Sequence, residues 1–182
     1  MLYYSLDLLV GFGCPFVIYA LYRAGKLEKL IWSLFWAGAA IGLIWEIPIF
    51  VLSAETSEWA TIHWVRPLPL HYSIFLVSHT LWDGALFLVG VWLAQRFCDE
   101  SWWTRFSGRA LIIMLVWGQL SELLVEISST SNDGWAFVRD HAWNPTLFEC
   151  NHQPITLFPQ LVWLAAPVLY YGVLRALARR RG

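Results

Sequence analysis

The chain has 182 residues, 58% of them hydrophobic and 14% charged, with thirteen tryptophans and a formal net charge of −1. This composition belongs to an integral membrane protein and leaves little chain for a soluble domain. The near-neutral charge gives no reason to expect a nucleic-acid partner.

An α-helix needs about 20 mostly apolar residues to cross a bilayer, and five segments qualify, at roughly 3–22, 30–52, 71–96, 109–129 and 156–177. The fold expected is therefore an all-α, five-transmembrane-helix bundle forming a single domain over 1–182. The first span holds Asp7, follows no basic residue and meets no small-residue cleavage pattern before Arg23, so it is expected to be retained and not removed as a signal peptide. The second carries Gly38 and Gly42, a small-residue face for close helix contact one turn before Glu46. In the third, Tyr72, Leu76, His79 and Asp83 share one helical face, and the four-residue gap predicts a direct contact between His79 and Asp83. The fourth carries Gln119, Glu122 and Glu126 as one polar stripe. The fifth contains Gln160 and Trp163. Pro15, Pro48, Pro159 and Pro167 fall within spans, and bends are expected near Glu46 and Gln160.

The basic residues give an orientation. Arg23, Lys26 and Lys29 lie between spans one and two, Arg96, Arg105 and Arg109 between three and four, and Arg175, Arg179, Arg180 and Arg181 end the chain. These are ten of the twelve Lys and Arg residues, and all fall on one side of a five-span bundle. Short cytoplasmic loops are enriched in such residues, which puts the N-terminus outside and the C-terminus in the cytoplasm. The outer connections, about 53–70 and 130–155, contain Trp59, Trp64, Trp135 and Trp143, and are expected to lie along the interface or partly cap the bundle.

Chemistry is expected at the intramembrane carboxyl groups. A carboxylate in hydrocarbon tends to face a wet cavity, to pair, or to keep its proton. Glu46, Asp83, Glu122 and Glu126 are such groups, and His79 is a candidate proton relay. At about 1.5 Å per residue from the outer ends, Glu46 lies about 9 Å deep, His79 and Glu122 about 12 Å and Asp83 about 18 Å, so one chamber can hold them. Trp45, Trp82, Trp117 and Trp163 lie within a few residues of these groups. An indole face stabilises a carbocation without capturing it, although each ring equally fits a packing or lipid-facing role. Glu122 and His79 likewise also suit plain helix-to-helix hydrogen bonds, and Glu126 also suits the wet outer interface.

No cofactor is expected. Cys14, Cys98 and Cys150 fall in a span, a cytoplasmic end and an outer loop, so they neither pair nor form a zinc motif. Cys150, His152 and His141 share the last outer loop without a strong ligand spacing. No Gly-rich phosphate loop, nucleophile elbow or haem signature is present.

From about residue 38 to 177 the chain resembles the emopamil-binding protein group, the EXPERA-domain membrane proteins that include sterol Δ8–Δ7 isomerases. Leu43-Ile44-Trp45-Glu46 resembles that family's apolar helix ending in a functional glutamate, Leu81-Trp82 its Leu-Trp pair, and Gly118-Gln119 the opening of its fourth-span polar stripe. Gln160-Leu161-Val162-Trp163 followed by Pro167 resembles its Asn-x-x-Trp segment and following proline. The resemblance implies that Glu46 handles a proton, Trp163 stabilises a cation and Gln160 is a polar partner. Two positions depart: Gly42 stands where the family has a histidine, and Phe75 where it has a glutamate, with His79 and Asp83 nearby as replacements.

The function expected is proton-initiated rearrangement of a hydrophobic isoprenoid, a double-bond shift of the sterol-isomerase kind. Glu46, Asp83, Glu122 and His79 are the catalytic candidates; Trp45, Trp82, Trp117, Gln119, Glu126, Gln160 and Trp163 are the substrate-binding ones. The alternatives are an integral-membrane terpene or meroterpenoid cyclase and a non-catalytic sterol or lipid binder. A proton-coupled transporter fits less well, because the chain has no inverted repeat. The partners expected are a sterol-like or isoprenoid small molecule and the bilayer, with a homodimer left open. The membrane would be the cytoplasmic one in a prokaryote or the endoplasmic reticulum in a eukaryote.

Overall fold

The computed structural model describes residues 2–54, 58–139 and 141–180; Arg181, counted above in the C-terminal basic cluster, lies outside them. Five long helices follow the five apolar segments: α1 Leu2–Arg23, α2 Lys29–Ala54, α3 Tyr72–Phe97, α4 Gly108–Ser131 and α5 Leu157–Arg179. Each is long and apolar enough to span a membrane. The protein is an all-α five-span bundle, and its exposed Leu, Val, Ile and Phe side chains face what must be lipid.

The bundle is built around the α2–α3 pair, where glycines remove the side chains that would hold the helices apart. A Cβ on Gly84 would stand 2.8 Å from the Phe35 carbonyl oxygen, one on Gly38 would stand 3.1 Å from the Gly84 Cα, and one on Gly42 would overlap the Asp83 carboxyl group. The small-residue face therefore lies against α3 and sets the depth of Asp83. On the other side, α4 and α5 meet at Gly118, where a Cβ would stand 3.1 Å from the Trp163 carbonyl and 2.9 Å from Pro167 Cγ. Pro167 has no N–H with which to bond that carbonyl, and the close approach of α4 covers it. Pro159 falls in the first turn of α5, where a missing N–H costs no intrahelical bond, so the bend expected at Gln160 is not required.

At one end of the bundle the helix termini carry the basic residues Arg23, Lys29, Arg96, Arg109, Arg175, Arg179 and Arg180. The other end carries the long connections, and these contain short strands that helical periodicity did not predict. β1 (Ile62–Trp64), from the α2–α3 connection, pairs antiparallel with β2 (Trp135–Phe137), which follows α4. β3 (Thr146–Cys150) and β4 (Gln153–Thr156) form a second antiparallel pair leading into α5. Ser129 fixes the turn after α4: its hydroxyl donates to the Trp135 carbonyl and accepts from the Trp135 N–H, both at 2.7 Å. The Tyr4 hydroxyl reaches the Arg66 and Gly134 carbonyls at 2.9 and 2.8 Å, tying α1 to both loops. The loops thus cap the bundle, as their tryptophans suggested.

Candidate functional site

Beneath this cap lies a cavity of about 560 Å³, within the roughly 300–1,000 Å³ typical of small-molecule sites. All five helices contribute to its wall. Glu46, Asp83, Glu122, His79 and Asp7 provide the ionisable groups; Trp45, Trp82, Trp117, Trp135 and Trp163 provide indoles. Ile62 and Phe137 close the roof from the β1–β2 pair. Along its flank the wall is made by Leu2 and Leu6 of α1 and Leu124 of α4, all exposed to lipid, because α1 packs chiefly on α3. That flank of the cavity, between α1 and α4, is thus walled by side chains that are themselves exposed.

Glu46, Asp83 and Glu122 are all buried and close enough to interact electrostatically, although they come from three helices. Glu46 Oε2, Asp83 Oδ2 and Trp45 Nε1 are buried without a hydrogen-bond partner among the described residues. The Trp45 N–H stands near both carboxyl groups, so the three atoms form one loosely bonded polar cluster in the cavity wall.

His79 does not pair with Asp83. Its Nε2 is 3.2 Å from Asp7 Oδ2 and its Nδ1 is 3.8 Å from Glu46 Oε2, which puts it between α1 and α2. Same-face spacing along α3 placed both His79 and Asp83 on the cavity, but the side chains turn to different neighbours. Phe50 stands edge-on to the imidazole with centroids 5.1 Å apart, and Trp135 lies 6.0 Å away. The Asp7 carbonyl also accepts from Trp82 Nε1 at 3.1 Å and from Ser78 Oγ at 3.3 Å. Asp7 was legible only as a polar interruption of the first span, and its distance in sequence from His79 concealed the pairing.

The tryptophans take different places. Trp163 is buried, stacks on Phe87 at 5.3 Å and lies 6.0 Å from Trp45, so two indoles and a phenyl ring back one wall. Trp117 donates to the Leu86 carbonyl at 2.8 Å and, like Trp82, lines the cavity. Among the eleven candidates, three stand outside the lining. Gln119 donates to the Gln160 carbonyl at 2.9 Å. Glu126 accepts from the Thr156 N–H at 2.9 Å and from Gln160 Nε2 at 3.3 Å, which uses both carboxylate oxygens to fasten the start of α5 onto α4. Gln160 is thereby a partner of Glu126 and not of the cavity.

The last-loop residues are engaged separately. His141 Nε2 lies 2.9 Å from the Ala60 carbonyl, the His152 carbonyl accepts from Arg139, and Cys150 Sγ lies 3.4 Å from Ser131 Oγ. Among the described residues no three His, Cys, Asp or Glu side chains are grouped so as to share a metal ion. Comparison with family models, curated proteins and solved structures finds no match.

Proposed function

We propose that this protein is a membrane-embedded acid catalyst that protonates a carbon–carbon double bond of a hydrophobic isoprenoid and shelters the cation until a proton is lost elsewhere, a double-bond shift of the sterol-isomerase kind. The observation that carries this reading is the sharing of one cavity by three buried carboxyl groups, Glu46, Asp83 and Glu122, with five indoles. An acid held out of water can deliver a proton to a weakly basic alkene, and the second carboxyl group can remove one from the adjacent carbon. The indole faces of Trp45 and Trp163 stabilise positive charge between those steps. The lipid-exposed flank of the cavity suits a substrate dissolved in the bilayer, and the clustering of ten basic residues supports an N-terminus and a cap outside the cytoplasm.

The resemblance to the emopamil-binding group supports the same chemistry, with His79 and Asp83 serving in place of the histidine and glutamate that Gly42 and Phe75 replace. The test is incubation of the purified protein in D2O with Δ8-sterols, linear prenyl chains and prenylated aromatics, beside Asp83→Asn and Glu122→Gln. Carbon-bound deuterium in a product made by the unmodified protein and lost in both variants is the expected result. A product with more rings than its substrate would replace isomerisation by cyclisation; tight retention of a panel ligand without any product would assign a binding protein.

A further inference from the structure

Resting on that reading, we propose that Asp7, His79 and Glu46 form a carboxylate–imidazole–carboxylate relay in which Asp7 positions His79 to exchange a proton with the cavity acid Glu46. The three come from three different helices, and each side chain is at least 86% buried, since 11%, 14% and 10% of their surfaces remain exposed. His79 Nε2 faces Asp7 at hydrogen-bond distance, and Nδ1 faces Glu46 Oε2 at 3.8 Å, an ion-pair distance that the relay requires to shorten to a hydrogen bond. One ring nitrogen is thus held by a carboxylate while the other is free to pass a proton, an arrangement that fixes the tautomer and the ring direction.

The Asp7 carboxylate is not needed to dock α1. Docking is done by the Asp7 backbone carbonyl, which receives Trp82 and Ser78, and by Gly11, where a Cβ would overlap Ser78. A buried aspartate whose main chain already makes the interhelical bonds is available for its side-chain partner. Phe50 and Trp135 confine the ring from its sides. Glu122 is the remaining ionisable group that senses His79.

An imidazolium with Nδ1–H and an ionised Glu46 become a neutral imidazole and a carboxylic acid, while Nε2–H stays on Asp7; no proton enters or leaves the triad. After Glu46 gives its proton to the substrate carbon, the proton later taken from the neighbouring carbon returns the triad to its starting charge by way of the second cavity carboxyl group or water. Asp7 is a positioning residue in this scheme and touches no reacting atom.

The decisive measurement combines ring-nitrogen NMR of protein labelled with 15N-histidine in lipid nanodiscs, His79 being assigned by its loss in His79→Gln, with deuterium transfer to the panel substrate that turns over. Asp7→Asn is expected to shift both His79 nitrogen signals and to lower kcat by about 10²-fold, the scale of one acid–base contribution, with KM and melting temperature unchanged. Asp7→Glu should restore part of kcat, and Glu46→Gln should shift chiefly the Nδ1 signal. His79 signals unmoved by Asp7→Asn would overturn the relay even if activity fell. If no substrate turns over with the unmodified protein, the catalytic reading fails, whereas the NMR comparison still decides for or against the triad.

Discussion

Glu122 and Glu126 stand one helical turn apart on α4, yet the fold gives them opposite duties. The two oxygens of Glu126 accept hydrogen bonds from Thr156, just before α5, and from Gln160 of α5, whereas Glu122 turns into the cavity. Replacing Glu126 by Gln sets an amide N–H₂ against Gln160 Nε2 or the Thr156 N–H, so one buried donor loses its acceptor. The expected cost is about 1–3 kcal/mol of stability, readable as a lower unfolding midpoint in detergent. Glu122→Gln removes no such bond and is expected to keep the midpoint within about 0.5 kcal/mol while lowering deuterium transfer about 10²-fold or more. Equal losses of stability in the two variants would contradict this division. The three-and-four spacing in the sequence identified the stripe, but a helix has neighbours on several sides, and spacing cannot say which of them each residue meets. The same limit misled at His79: the i to i+4 spacing within α3 pointed to a contact with Asp83 that the fold does not make, and the contact with Asp7 of α1 leaves no mark on that spacing.

At the scale of elements, the α2–α3 seam is the best-read part of the molecule, because glycines four apart on an apolar helix have few uses other than close approach. The seam makes a contrast between substitutions. At Gly84 an added methyl group meets the Phe35 backbone carbonyl, which cannot move without the helix, so Gly84→Ala should cost about 1–3 kcal/mol, as overpacking does. At Gly42 it meets the Asp83 carboxyl group and, at 2.9 Å, the Asp83 Cβ, so Gly42→Ala should displace the acid and reduce turnover as well as cost stability. At Gly172 nothing lies within 4 Å, and Gly172→Ala should leave stability unchanged or raise it by up to about 1 kcal/mol. Unfolding midpoints and turnover for the three variants check the order. The strands were not legible: β1, β2 and β4 span only three or four residues each, too few for alternation to register, and the β1–β2 pairing joins the α2–α3 connection to the α4–α5 connection.

For the whole molecule, the sequence supplies a vector as well as a bundle. Nine of the eleven basic residues among the described ones sit at one end, and the other two, Arg66 and Arg139, pair with Asp133 and Glu149 on the cap. Translocation disfavours Lys and Arg near span ends, which predicts that the cap is the non-cytoplasmic face and that the cavity is reached from that side. Two cysteines report on this. Cys150 lies in β3 of the cap, and Cys98 caps α3 at the basic end. The hydroxyl of Ser131 beside Cys150 holds its thiol below the usual range, so a larger fraction is thiolate at neutral pH. A membrane-impermeant maleimide applied to intact cells, or to sealed vesicles of known orientation, should therefore label Cys150 quickly and reach Cys98 only after permeabilisation. Labelling of Cys98 first would invert the bundle and put the cavity on the cytoplasmic side. In that case the proton source for Glu46 would be cytoplasmic water, and the positive residues would have to be explained by something other than their retention.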